Sequence, residues 1–385
     1  MLKNKLRSIA FYLPQYHPIP ENDEWWGKGF TEWTNVTKAK PIFRDHYQPH
    51  LPADLGYYDL RLPEVRQAQA ELAKEYGIGG FCYYHYWFSG KRLLERPFNE
   101  VLASGKPDFP FCLCWANESW SRRWDGQETQ VLTKQTYDGV SDTKNHIHWL
   151  IKAFKDPRYI RINDKPLFLI YRAKEIPELE RMIVIWREEA EKAGLTGLYL
   201  CSVDSSWARN WNPTPYGFEA SVEFQPAFTL IPEKFWIDPQ KEEQKVNLFS
   251  KIQNKIQQKL FLNTHQVERP KHKIISYDVF VRQMLKRKYD SYKMFRCVTP
   301  GFDNTSRRVN LPISMLQQSN PEDFGFWLRE VVKWTETNME GEEQIVFINA
   351  WNEWAEGNHL EPDQKFGCAF LEQVREIMTE NSEKN

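Results

Sequence analysis

The chain is short of most features that would announce a function. No run of about 18 apolar residues occurs in its 385 residues, so no transmembrane helix is expected. Lys plus Arg number 51 against 52 Asp plus Glu, and a net charge of −1 offers no field for nucleic acid or an anionic membrane. The six cysteines, Cys82, Cys112, Cys114, Cys201, Cys297 and Cys368, form no Cys-x-x-Cys pair and mostly sit in apolar runs. They read as small buried hydrophobes in a reducing compartment. No Gly-x-Gly-x-x-Gly or Gly-Lys-Ser/Thr follows a strand, which argues against dinucleotide and P-loop sites. Without Gly-x-Ser-x-Gly there is no nucleophile elbow. His146 and His148 are two apart on an expected helix and face different ways, while Pro49 argues against a helix that would align His46 with His50. No cofactor and no required metal are expected. Met1 to Arg7 is polar and runs into the first strand, so a cytoplasmic location is expected.

What the chain has in quantity is aromatic side chains, 15% of residues including 16 Trp. Cores rarely need so much indole, because each buried N–H must find an acceptor. Binding of flat, polar-edged ligands is one explanation, and a merely aromatic core is the other.

Strand-like and helix-like segments alternate about eight times. Strands are expected at Ser8 to Leu13, Ile78 to Phe81, Phe109 to Trp115, Pro166 to Tyr171, Leu198 to Val203, Ala220 to Phe224, Met294 to Val298 and Gln344 to Trp351. Helical spacing marks Leu62 to Tyr76, Pro97 to Ala103, Asp142 to Phe154, Ile176 to Ala193, Pro321 to Thr335 and Phe370 to Thr379. This pattern predicts an α/β fold, a single-domain (β/α)8 TIM barrel over residues 1–385 with long loops after its strands. An open doubly wound sheet is the alternative. The Lys- and Gln-rich stretch at about 231–283 reads as an inserted, solvent-facing excursion with a helix from Glu243 to Leu260.

Polar and aromatic clusters follow the strand ends, where a barrel keeps its chemistry. They include Tyr16 and His17, Tyr84 and His85, Trp115, Asn117 and Glu118, and Asp303 and Asn304. The sharpest is the last: the apolar run Ile345 to Ile348 gives way to Asn349-Ala350-Trp351-Asn352-Glu353-Trp354-Ala355-Glu356-Gly357. Two glutamates three apart in a turn can face one cavity, and paired carboxyls are what glycosidic bond cleavage uses. Trp351 and Trp354 offer flat apolar faces on which a sugar ring can stack, and the Asn352 amide can bind hydroxyls. The plain alternative is a solvated helix start with two acids at the positive end of its dipole. His85 by itself reads as a structural histidine.

Asn352-Glu353-Trp354-Ala355-Glu356-Gly357 resembles the Asn-Glu-Trp-x-Glu-Gly signature of glycoside hydrolase family 99, the endo-α-mannosidases and endo-α-mannanases. A fuller pattern is similar to the WbsX family, a family 99-like group found with bacterial O-antigen and capsule synthesis. It comprises Phe11 to Pro18, Trp25-Trp26-Gly27-x-Gly29-Phe30-Thr31-Glu32-Trp33, Trp115 to Glu118, and Gly301-Phe302-Asp303-Asn304-Thr305-x-Arg307-Arg308. The resemblance implies a (β/α)8 barrel. It also implies that Glu353 deprotonates the sugar 2-hydroxyl, whose oxygen attacks C1, while Glu356 is general acid and then base, with net retention.

The expected partner is therefore an oligo- or polysaccharide, α-linked and mannose-configured by family analogy, lipid-linked or phosphorylated if the pairs Arg122-Arg123 and Arg307-Arg308 grip phosphate. WbsX proteins also carry the label glycosyltransferase, so a transferase using an activated sugar donor is the rival class. The chain shows neither an Asp-x-Asp motif nor a Rossmann pair. A catalytically silent glycan-binding barrel is the third possibility.

Overall fold

The computed structural model describes residues 6–122, 127–206, 208–237, 272–288, 292–308 and 313–383. Eight parallel strands form a closed barrel: β1 (Arg7–Tyr12), β2 (Gly80–Phe88), β3 (Phe111–Trp115), β4 (Lys165–Ile170), β5 (Tyr199–Asp204), β6 (Ala220–Glu223), β7 (Met294–Val298) and β8 (Ile345–Ile348). Each pairs with the next, and β1 closes on β8 with Arg7 opposite Ile345 and Ala10 opposite Ile348. Strands covered on both sides read as continuous apolar runs. Every residue of β3, β5 and β8 is buried. The (β/α)8 reading of the alternation is correct.

The surrounding helices are α3 (Pro63–Glu75), α4 (Arg96–Ser104), α5 (Gly139–Phe154), α6 (Leu179–Lys192), α7 (Tyr277–Leu285), α8 (Pro321–Asn338) and α9 (Ala369–Glu383). Their starts follow capping rules: Pro63 opens α3, and the Asn320 side chain accepts from Asp323 N at 2.8 Å ahead of Pro321 in α8. Between β5 and β6 the described residues show only a short 3-10 turn, Thr214–Tyr216, where the repeat would place a helix. Gly77 ends α3 at φ +81°, and a Cβ there would stand 3.3 Å from Met378 Cβ in α9, so a bare backbone is needed for this approach.

Three details depart from the linear reading. The segment after β1 is not all loop, since it holds α1 (Pro20–Trp26) and α2 (Glu32–Lys38), each only seven residues long. Secondly, α7 buries Tyr277, Phe280, Val281 and Met284 in the wall of the barrel, at the end of the stretch read as an insertion. The helix expected from Glu243 to Leu260 lies outside the described residues, as does the loop Arg123 to Gly126. Thirdly, Glu223, an awkward acid inside β6, is fully buried because Arg287 and Arg296 each meet it at 3.0 Å.

Five cysteines are buried and Cys368 is partly buried, all as free thiols. No described helix is long and apolar enough to cross a membrane.

Candidate functional site

The fully buried strand β8 delivers the chain to the C-terminal mouth of the barrel. There the backbone turns on itself: Asn352–Glu353 pairs antiparallel with Asn358–His359. The 3-10 turn Trp354–Glu356 fills the gap, and Gly357 closes it in the left-handed region at φ +55°. The Asn352 amide stitches this hairpin to the end of β1. Its Oδ1 accepts from Leu13 N at 2.7 Å and its Nδ2 donates to Leu13 O at 3.0 Å. The Tyr16 hydroxyl donates to the Asn352 carbonyl and accepts from Trp354 N at 3.1 Å. Beneath the turn, the Glu361 carboxylate accepts from Trp354 Nε1 at 2.6 Å, Tyr58 OH at 2.8 Å and Gln69 Nε2 at 2.6 Å. Burial still pushes the Glu361 carboxyl up to about 7.

The loop after β7 docks onto the same turn. Asp303 N donates to the Glu356 carbonyl at 2.5 Å, and the Ser306 hydroxyl donates to the Ala355 carbonyl. This brings Arg307 among three carboxylates. Its Nη1 donates to Glu356 at 2.7 Å, and its Nη2 to Glu353 at 2.9 Å and to Glu32, at the start of α2, at 2.8 Å. One guanidinium therefore bridges both signature glutamates and a third acid from the far end of the sequence. A planar fork with several fixed donors suits this role.

Three acids around one cation leave excess negative charge in a dry place. Burial pushes the Glu353 carboxyl up to about 8, with Arg307 pulling it down and Glu356 and Glu32 adding to the rise. Burial also raises Glu32, against the pull of Arg307. For Arg307 burial disfavours the charge, yet the three carboxylates hold its pKa above the ordinary value. The Glu353 carboxyl thus keeps its proton to higher pH than an ordinary glutamate.

Glu353 and Glu356 face a cavity of about 320 Å³, at the lower end of the ligand-pocket range. Its apolar walls come from the ends of different strands and the segments that follow them: Trp26, Tyr84, Tyr86, Trp120, Tyr171 and Phe224. Asn22, Asn304, Asn349 and Arg308 supply polar edges, and Glu118 stands at the wall, held by Arg172 at 2.5 Å. Aromatic faces with scattered amides and carboxylates suit a polyhydroxylated ring, whose C–H faces are apolar and whose rim is not.

Of the fourteen residues expected at the site, Tyr84, Glu118, Asn304, Glu353 and Glu356 line the cavity. The others stand behind it. Tyr16, Asn352 and Trp354 hold the turn, and Trp351 is buried against Phe81 at 5.1 Å between ring centres. Asn117 ties two loops together, donating to Tyr137 OH at 2.9 Å and accepting from Arg172 N at 2.8 Å. Asp303 is buried between His46 Nε2 at 2.6 Å and Gln48 Nε2 at 2.7 Å. His17 is buried away from the cavity, and Trp115 packs on His146 at 4.6 Å. His85 stacks on Trp149 at 4.7 Å and meets His146 Nε2 at 2.9 Å. Linear reading passed over the central place of Arg307 and gave Glu32 no role. Both lie in the quoted motifs, but only the folded chain shows that they meet.

Comparison with known proteins agrees with this architecture. A family model described as "Glycosyltransferase WbsX" matches residues 8–374. The "Uncharacterized protein WxcX" of Xanthomonas campestris pv. campestris strain B100 is 40% identical over 376 residues, covering 96% of this chain and 49% of that protein. Its counterpart in strain ATCC 33913 is 40% identical over 371 residues, again 49% of its length. The chain spans about half the length of these curated relatives. Among solved structures, a "Glycoside hydrolase-like protein" superposes with TM-score 0.55 at 13% identity, over 98% of this chain and 95% of that one. The family GH99 endo-alpha-mannosidase from Bacteroides thetaiotaomicron superposes with TM-score 0.54 at 13% identity, over 98% of each chain. These superpositions show a shared fold, and the match over nearly the whole sequence places the chain in the WbsX glycosyltransferase family.

Proposed function

We propose that this protein is a glycan-active enzyme that cleaves or transfers an α-linked sugar through Glu353 and Glu356, without a nucleotide-sugar donor. The observation that carries this reading is the Glu353–Arg307–Glu356 bridge at the wall of an aromatic cavity, at the mouth where barrels of this kind hold their active sites. Glu353 acts as the base toward the sugar 2-hydroxyl. A carboxyl titrating near 8 is a far stronger base, once ionised, than an ordinary glutamate, and its pKa lies close to working pH. Glu356, half-buried and nearer solvent, gives a proton to the leaving oxygen and later takes one from the acceptor. The oxygen of the deprotonated 2-hydroxyl attacks C1 as the glycosidic bond breaks. Water or a second sugar hydroxyl then opens the resulting 1,2-anhydro ring at C1, giving its proton to Glu356 while O2 takes its proton back from Glu353. Arg307 keeps the two carboxyls at a fixed separation and compensates charge as the proton moves. The aromatic walls orient the ring, and a mannose-configured glycan of the kind found in O-antigen or capsule is the substrate class that the family relation supports.

The rival is a transferase using an activated sugar, which the family description names. The experiment is product analysis on α-mannans and bacterial O-antigen fragments, with and without sugar nucleotides, for wild type and Glu356→Gln. Products formed without nucleotide sugar and lost in Glu356→Gln support the proposal. Incorporation that requires a nucleotide donor overturns it.

A further inference from the structure

Beside the active site, His50, His359 and Asp363 bring one ligand atom each to within 4.8 Å of one another. They come from the long segment after β1, from the second strand of the catalytic hairpin, and from the turn beyond it. His359 Nδ1 lies 2.9 Å from the Glu361 carbonyl, an acceptor only, so Nδ1 carries the hydrogen. Its Nε2 is therefore a bare lone pair, and it points at His50 Nδ1 across 2.9 Å and at Asp363 Oδ2 across 3.9 Å. A carbonyl fixing the far nitrogen of a ring is the arrangement seen behind metal-bound histidines. Asp363 is oriented in the same manner: its Oδ1 accepts from Lys365 N at 3.0 Å and Phe366 N at 2.6 Å, while Oδ2 accepts one long bond from the Tyr47 hydroxyl at 3.4 Å and keeps a lone pair facing the imidazoles. Rings on either side hold the donors in place. Trp354 stacks on His359 at 3.7 Å, and Tyr47 lies against His50 at 4.4 Å.

We infer that these three side chains bind a divalent transition ion, with zinc the best fit to two imidazoles and a carboxylate. A tetrahedral ion with bonds of about 2.0–2.1 Å spaces its ligands roughly 3.3 Å apart. The observed gaps of 2.9 and 3.9 Å bracket that edge, so small ring rotations admit the ion. His50 then shifts its hydrogen from Nδ1 to Nε2, staying neutral, and both rings present lone pairs. The remaining position opens toward a cavity of about 110 Å³ lined also by His46, Asp303 and Lys365, with room for water. Lys365 turns its ammonium over the Tyr47 ring at 4.3 Å. The ion is a structural clamp, not a reactant. It ties the segment that carries Glu32 to the hairpin that carries Glu353 and Glu356.

The test uses the full untagged chain stripped with a chelator and titrated with Co²⁺ or Zn²⁺ alone. Wild type is expected to take up one equivalent, to show visible Co²⁺ bands of four- or five-coordinate nitrogen–oxygen ligation, and to gain about 3 °C in Tm at a hundredfold excess over Kd. His50→Gln and Asp363→Asn, each first shown to melt as metal-free wild type does, are expected to bind at least tenfold more weakly. The zinc K-edge spectrum of wild type, which needs no variant, is expected to show two imidazoles. No stoichiometric uptake, variants with unchanged affinity, or a spectrum without paired imidazoles would each overturn the assignment.

Discussion

Replacing Glu353 with glutamine is expected to stabilise the fold, increasingly so as pH rises. Burial lifts this carboxyl to about 8, whereas in the unfolded chain it ionises near 4.5. Below pH 4.5 both states hold the proton, glutamate and glutamine behave alike, and the full contribution of the neutral carboxyl is present. Between 4.5 and 8 the unfolded chain ionises while the folded chain does not, and each pH unit favours unfolding by about 1.4 kcal/mol. At pH 7 the accumulated loss is roughly 3 kcal/mol, and above 8 it levels off. Glutamine has nothing to ionise, and its amide oxygen still accepts from Arg307. A chain of 385 residues unfolds with an entropy of about 0.8 kcal/mol/K, so the difference at pH 7 is about 4 °C in Tm. Thermal melts of wild type and Glu353→Gln from pH 4.5 to 8.5 measure it without any knowledge of the substrate. Two curves that run parallel across this range, or converge as pH rises, would refute the reasoning.

Other outcomes follow from the same geometry. With Glu353 as base, kcat/KM should climb with pH toward about 8, up to tenfold per unit, and a fall over that range would instead make Glu353 the proton donor. Glu356→Gln should lower turnover by about 10²–10⁴-fold in single-turnover assays while leaving glycan binding nearly intact. Arg307→Ala leaves three carboxylates without their counter-charge and should destabilise the fold by about 3–5 kcal/mol in urea melts at pH 8. The loss should be smaller at pH 5, where Glu353, raised to about 8 by burial, holds a proton. Gly357→Ala forces a Cβ to 3.1 Å from Asp303 and 3.2 Å from the His50 ring at φ +55°. It should cost about 1–3 kcal/mol and reduce kcat, read by melts and kinetics together.

What was legible in the sequence was whatever is written locally. Ile345 to Ile348 announces a buried strand by four consecutive apolar residues, and the polar turn after it announces a barrel mouth. The two seven-residue helices after β1 escaped because they are too short to display a full amphipathic period among so many aromatics. Contacts across hundreds of residues leave no local trace. Glu32 and Arg307 are 275 positions apart, and His50 and His359 are 309 apart, so neither pairing has a spacing to read. Which of the expected residues line the cavity is hidden for a related reason. Trp115 and Trp351 do sit at strand ends, but whether such a side chain faces the mouth or the wall depends on the barrel's twist, which residue order does not display.

The hairpin that carries the two glutamates works as a ruler. Only Trp354 and Ala355 separate them, and the turn is clasped on one side by strand pairing and on the other by Tyr16 and Ser306. The distance between the two carboxyls is therefore set by covalent backbone, local clasps and the Arg307 bridge, independent of the aromatic walls contributed by other strands. Those walls are free to be exchanged one loop at a time, so a lineage built on this frame can reshape the cavity without moving the two glutamates.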